Sequence, residues 1–255
     1  MGTNGYEEQS CLNCLFQTGI YIWSNLESEC DVVERALCSA KLNSCWNAFP
    51  DFVCNDGIIE HFEVTSTKQT RKGSKMRMQQ SSMQREMEMF CFGKMNDTQM
   101  ESISGLMFSK SVKRKTEMAS HEFLLQSFEK QWMEHLRKFE AYVIKNGQQE
   151  FSAFMVDLRY ENLLFMCEDI PINKQLSDNL QPIHQPYWPL ADKMLLHRLA
   201  DYAGDIKYVL FVKQNRCDVV PIVLLRTIAD NIIYPFYIYP CSGIVCNYGT
   251  YIRLS

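Results

Sequence analysis

No apolar run in this chain reaches the length needed to cross a membrane. The best stretch, Val219 to Tyr239, is broken by Pro221, Arg226, Asp230 and Pro235. A secretory leader is missing as well, because Met1-Gly2-Thr3-Asn4-Gly5-Tyr6-Glu7-Glu8 has no apolar centre. Tyr6 stands where a myristoylation motif wants Ser or Thr, so no lipid anchor is expected. These absences lead to the expectation of a soluble, cytoplasmic protein with no membrane partner. The 11 cysteines are odd in number and scattered, which argues against a disulfide framework, and a reducing compartment keeps them mostly as thiols. There is no Walker sequence, Gly-rich dinucleotide loop, Gly-x-Ser-x-Gly elbow, zinc finger or RNP-type aromatic motif. Internal repeats and low-complexity tracts are absent too.

What is present is a foldable composition with an uneven charge. At 46% hydrophobic and 12% aromatic, 255 residues can bury a large core. The net charge of -4 hides a division. Residues 1–65 hold ten acids and two bases, whereas residues 66–115 hold eleven bases and four acids. An acidic segment beside a basic one suits a metal site next to a polyanion track, and it also suits two independently solvated surfaces.

Periodicity places the elements. Leu26, Cys30, Val33, Leu37 and Ala40 recur at helical spacing and predict a helix over 26–43, with Glu34 close to its apolar stripe. Two short strands follow, Phe49–Val53 and Ile58–Ser66, joined at Asn55-Asp56-Gly57. Alternation on the second strand sends His61, Glu63 and Thr65 one way and Glu60, Phe62 and Val64 the other. Residues 66–75 read as a basic loop, and residues 75–90 as a helix. Leu125, Phe128, Trp132, Leu136, Phe139 and Val143 form a second helical stripe that ends near Gly147, and such a stripe is more often core than a ligand box. Phe151–Asp157 and Leu163–Cys167 read as a hairpin, Pro189–Ala203 as a helix, and Ile206–Lys213, Val219–Leu225 and Ile232–Tyr239 as strands. The expected fold is a single α/β domain over 1–255, with one mixed central sheet flanked by helices. Its core covers 26–90 and 150–240, with a helical, basic insertion at about 91–147.

Pro50-Asp51, followed twelve residues later by Glu63-Val64-Thr65, resembles the core motif of the PD-(D/E)XK nuclease superfamily, the restriction-endonuclease-like fold. The resemblance covers about residues 27–85. It implies a Mg²⁺-dependent, or Mn²⁺-dependent, endonuclease acting on DNA. The implied metal ligands are Asp51, Glu63 and the carbonyl of Val64, with Glu34 as an auxiliary acid on the preceding helix. Gln80 or Gln84 would be the glutamine some members carry on the following helix. Mg²⁺ wants such hard oxygen donors, commonly one or two carboxylates plus water and substrate phosphate. The departure is Thr65, where the superfamily usually has Lys. Lys68 is the residue expected to supply that charge, and Thr65 with Lys68 would then position the water. Lys68, Arg71, Lys72, Lys75 and Arg77 form an acid-free basic run suited to phosphate contacts. The resemblance also admits a homodimer.

Other readings stay open. Thr65 fits equally a non-catalytic protein of this fold that binds nucleic acid or a protein partner. His61 reads either as a base or ligand, or as a hydrogen-bonded strand residue. His121, His135, His184 and His197 form no ligand pattern. Cys11, Cys14, Cys241 and Cys246 read either as a four-thiolate Zn or Fe–S site joining the termini, or as small buried hydrophobes.

Overall fold

The structure is a computed structural model that describes residues 19–45, 48–67, 69–70, 73–74, 82, 106–114, 119–158, 163–167, 183–213, 216–232, 236–240 and 244–252. Its principal element is a mixed seven-stranded sheet. In chain order the strands and helices that build it are β1 (Gly19–Ile22), α1 (Glu27–Ser39), β2 (Lys41–Leu42), β3 (Phe52–Cys54) and β4 (Gly57–Glu63). The small pair β5 (Gln69–Thr70) and β6 (Gly73–Ser74) follows, and then β7 (Leu106–Arg114) and α2 (His121–Asn146). The remainder is β8 (Phe151–Asp157), β9 (Leu163–Cys167), β10 (Ile183–Pro186), α3 (Lys193–Asp201), β11 (Tyr208–Lys213), β12 (Arg216–Pro221), α4 (Leu225–Asp230), β13 (Phe236–Pro240) and β14 (Ile244–Ile252). The large sheet runs β1-β12-β11-β8-β4-β3-β2. The strands β4, β8 and β11 are mutually parallel, and β2, β3 and β4 form an antiparallel meander.

The sequence pattern explains why β8 lies centrally. Phe151–Asp157 is an apolar run buried at every position, as a strand covered on both faces must be. This overturns the expected hairpin with Leu163–Cys167. β8 pairs with β4 and β11, while β9 pairs with β10 and β13 in a separate three-stranded sheet. Close packing of β4 on β8 depends on Gly57, where a Cβ would stand 1.9 Å from the carbonyl oxygen of Phe151.

Each face of the sheet carries its own core. On one side Val33, Ala36 and Leu37 of α1 pack with Phe52, Ile59, Phe151, Met155 and Leu210. On the other, Leu125, Phe128, Trp132 and Phe139 of α2 pack with Ile58, Phe62, Phe154 and Phe211. The second stripe read from sequence is therefore core, and α2 lies in the long connection from β4 to β8, after β5, β6 and β7. Trp132 is fully buried and meets Phe154 edge-on at 4.8 Å.

The helix phase of α1 corrects one expectation. Its buried line is Val33, Ala36, Leu37 and Ala40. Glu29, one turn before Val33, is half-buried and accepts a hydrogen bond from Ser24 Oγ, whereas Glu34 is exposed. Two further boundaries differ. Pro189–Ala191 forms a single 3₁₀ turn, and α3 starts afresh at Asp192, whose carboxylate accepts the Leu195 N–H at 3.1 Å. β12 ends at Pro221, which has no N–H to continue a ladder, and the chain turns through Ile222–Leu224 into α4. The expected loop at 66–75 contains the short antiparallel pair β5 and β6. The helix expected at 75–90 lies outside the described residues. No helix among the described residues is long and apolar enough to cross a membrane.

Candidate active site

The parallel strands β4, β8 and β11 finish at one end of the sheet, the position where open α/β sheets place ligands. Glu63 ends β4, Asp157 ends β8 and Lys213 ends β11. β3 runs antiparallel to β4, so Asp51, just before β3, lies along the same stretch of β4.

Asp51 is fixed by the backbone. Its Oδ2 accepts the N–H of His61 at 2.8 Å. Its own N–H donates to Glu60 Oε2 at 3.1 Å. Glu60 is only 4% exposed and turns toward α2, where its Oε1 lies 2.6 Å from His135 Nδ1 and 3.9 Å from Lys138 Nζ. The His135 ring in turn stacks on Phe62 at 4.9 Å. Asp51 is thus held from two sides, by the strand that carries Glu63 and through Glu60 by α2.

Glu63 projects with His61 onto the α1 side, as the alternation predicts, while Glu60, Phe62 and Val64 face α2. Asp157 is the direct cross-strand neighbour of Glu63, and its Oδ2 lies 4.0 Å from His61 Nε2. Both side chains of that pair are buried. The Val64 side chain belongs to the α2 core, and its N–H donates to the Asp157 carbonyl at 3.3 Å.

Thr65 closes a turn. Its N–H donates to Ser127 Oγ at 3.1 Å, and its Oγ1 accepts the Thr67 N–H at 3.2 Å. A second buried carboxylate lies on the α2 side. Asp192 Oδ2 is 2.6 Å from His121 Nε2 and accepts the Tyr187 hydroxyl at 2.6 Å. The Ser120 N–H donates to the Ser66 carbonyl at 2.7 Å, tying the start of α2 to the turn after β4.

Of the residues singled out by sequence, Glu63 ends β4 with Val64 and Thr65 directly after it, and Asp51 lies opposite Glu60, where it accepts the His61 N–H. Glu34 stands on the exposed side of α1. Lys68, Arg71, Lys72, Lys75, Arg77, Gln80 and Gln84 lie outside the described residues, as do Cys11, Cys14 and Cys241 and the side chain of Cys246. Among the described residues no group of three or more His, Cys, Asp or Glu is placed to hold a metal ion. Sequence reasoning missed Asp157. The available signal was the change from six apolar or small residues to an acid at the end of a buried strand. It also missed the Glu60–His135 pair, for which 75 residues of separation leave no local signal.

Among the described thiols, burial and Asp56 push Cys54 up to about 12 from its ordinary 9.0. Burial, then Asp218, pushes Cys217 higher still. Neither thiol is a nucleophile at neutral pH. No family model, curated protein or solved structure matches the chain.

Proposed function

We propose that this protein is a divalent-metal-dependent nuclease with a restriction-endonuclease-like core, hydrolysing phosphodiester bonds of DNA. The observation that carries the reading is the fixed carboxylate of Asp51, seated on the His61 N–H beside the strand that bears Glu63. The order of elements supports it: a helix, the meander β2-β3-β4, a crossover helix and β8 parallel to β4.

The donors fit a hard cation. Asp51 and Glu63 offer carboxylate oxygens, and Val64 adds a carbonyl. Bound there, Mg²⁺ or Mn²⁺ supplies an acidified water and neutralises phosphate charge. The protein's own contribution is positioning. The Glu60 and His61 contacts hold Asp51 before substrate arrives, so no ordering is needed at the moment of reaction. Asp157 lies beside His61 and fixes a second polar group on the Glu63 side of the sheet. Thr65 shapes the turn and carries no charge, so the cation comes from elsewhere, with Lys68 assigned that part. Glu34 is left out of the ligand set because it faces away from the α1 core.

The test is cleavage of linear, circular and single-stranded DNA with Mg²⁺ or Mn²⁺. Asp51→Ala and Glu63→Ala should each abolish it, and activity that survives both substitutions rejects the site. The Thr65 hydroxyl, engaged within its own turn, favours a second reading: a nuclease-fold protein that binds nucleic acid or a protein partner without cleaving. DNA binding with no metal affinity in calorimetry would select that reading.

A further inference from the structure

A second constellation stands at the opposite edge of the large sheet and is built around Arg216. Asp218 is 2% exposed and accepts four donors: Arg216 Nε at 2.8 Å, Arg216 Nη2 at 2.7 Å, Trp23 Nε1 at 2.9 Å and Trp188 Nε1 at 3.1 Å. These bonds lock the guanidinium plane. They use two of its five N–H donors, and among the described residues no acceptor takes the other three. The hydrogen bond to Asp218 also holds Arg216 above its ordinary pKa. Its guanidinium carbon lies 4.4 Å from the Tyr21 ring centre and 4.8 Å from that of Trp188.

Tyr21 is half-exposed, on an edge strand, with its ring folded back along β1. Gly19 leaves room for that pose, since a Cβ there would stand 3.2 Å from Tyr21 Cε2 and the ring would have to give slightly. The ring and the cation face a cavity of about 570 Å³ between β1 and α4, whose lining also includes Trp23, Asn25 and Thr227. That volume falls within the usual range for small-ligand sites.

A locked guanidinium with free donors recognises a phosphate, and an exposed aromatic face stacks on a base. Asn25 and Thr227 add an amide and a hydroxyl. We infer that this cavity binds one nucleotide unit of a single-stranded nucleic acid, with the base on Tyr21 and the phosphate on Arg216. The inference extends the nuclease reading by naming a substrate form. Arg216 enters β12 next to the end of β11, three strands from β4 and on the order of 14 Å from it at about 4.8 Å per strand. A duplex cannot place a base there without unstacking it, so a single strand is the form selected.

The experiment is fluorescence anisotropy in EDTA with a labelled twelve-residue oligo(dT), a duplex of equal length, and free thymidine monophosphate as competitor. The wild-type chain should bind the single strand more tightly than the duplex. Tyr21→Ala should weaken that binding roughly 5- to 150-fold, given about 1–3 kcal/mol per stacked base. Tyr21→Trp should retain it. Competition by the free nucleotide at similar concentration would make a mononucleotide the ligand and overturn the single-strand inference, whereas competition only by the oligomer supports it. Equal affinity for duplex, or no change on Tyr21→Ala in a folded protein, overturns the inference. EDTA removes cleavage from the assay, so a chain that cleaves nothing can pass it and an active nuclease can fail it.

Discussion

At the scale of single residues, Glu60 joins three things: the Asp51 backbone, His135 and the Lys138 ammonium. Breaking a buried pair by removing one partner leaves the other uncompensated. Glu60→Ala should therefore lower stability by about 3 kcal/mol or more in urea denaturation, with His135→Ala in the same direction. A neutral result would mean that the pair contributes nothing to holding Asp51. The buried thiols give a second residue-scale outcome. The pKa of Cys54 is raised in the folded state, so the unfolded chain releases its proton first as pH rises. The contribution of Cys54 to stability should be constant below about 9 and fall between 9 and about 12, by at most about 1.4 kcal/mol per pH unit. Cys54→Ala should make this decline shallower. At neutral pH a thiol reagent should modify the exposed Cys38 and Cys45 in the folded protein and spare Cys54 and Cys217. The alternation that put His61 with Glu63 and Glu60 with Phe62 was legible from sequence because a strand has a strict period of two. The phase of α1 was less so, because four acids in thirteen residues leave a short apolar line whose centre shifts with one residue, and Glu29 rather than Glu34 lies beside it.

At the scale of elements, the contact of β4 with β8 is set by Gly57 and the uniform burial of β8. Gly57→Ala places a methyl 1.9 Å from the Phe151 carbonyl oxygen and 2.6 Å from its carbon, a backbone clash that no side-chain rotation relieves. It should prevent soluble folded expression or lower the thermal midpoint by more than Trp132→Ala, itself expected to cost about 3–5 kcal/mol. Unchanged stability in the Gly57→Ala protein would contradict the pairing. The strand character of Phe151–Asp157 could be read from composition, but its partners could not. An apolar run next to a turn signal looks the same whether the following strand is its neighbour or belongs to another sheet. The helix at 121–146 was evident from its stripe, yet its place in the core depends on its connection to β8, which no local pattern encodes.

At the scale of the whole molecule, the large sheet makes neighbours of Glu63 and Asp157 at the ends of β4 and β8, and the meander sets Asp51 alongside His61. The neighbouring strands that carry Asp51 and Glu63 were legible because a short turn joins them and their residues alternate. Asp157 and the Arg216 cluster come from chain separations that only the fold closes. Under the proposed function, Asp51 and Glu63 share one divalent cation. The most direct measurement of that sharing is a Mn²⁺ titration followed by electron paramagnetic resonance on wild type, Asp51→Asn and Glu63→Gln, each checked for folding. The account predicts one Mn²⁺ bound per wild-type chain and at least a tenfold loss of affinity in either variant. Equal Mn²⁺ binding by wild type and both variants, or none by a folded wild-type chain, would contradict it.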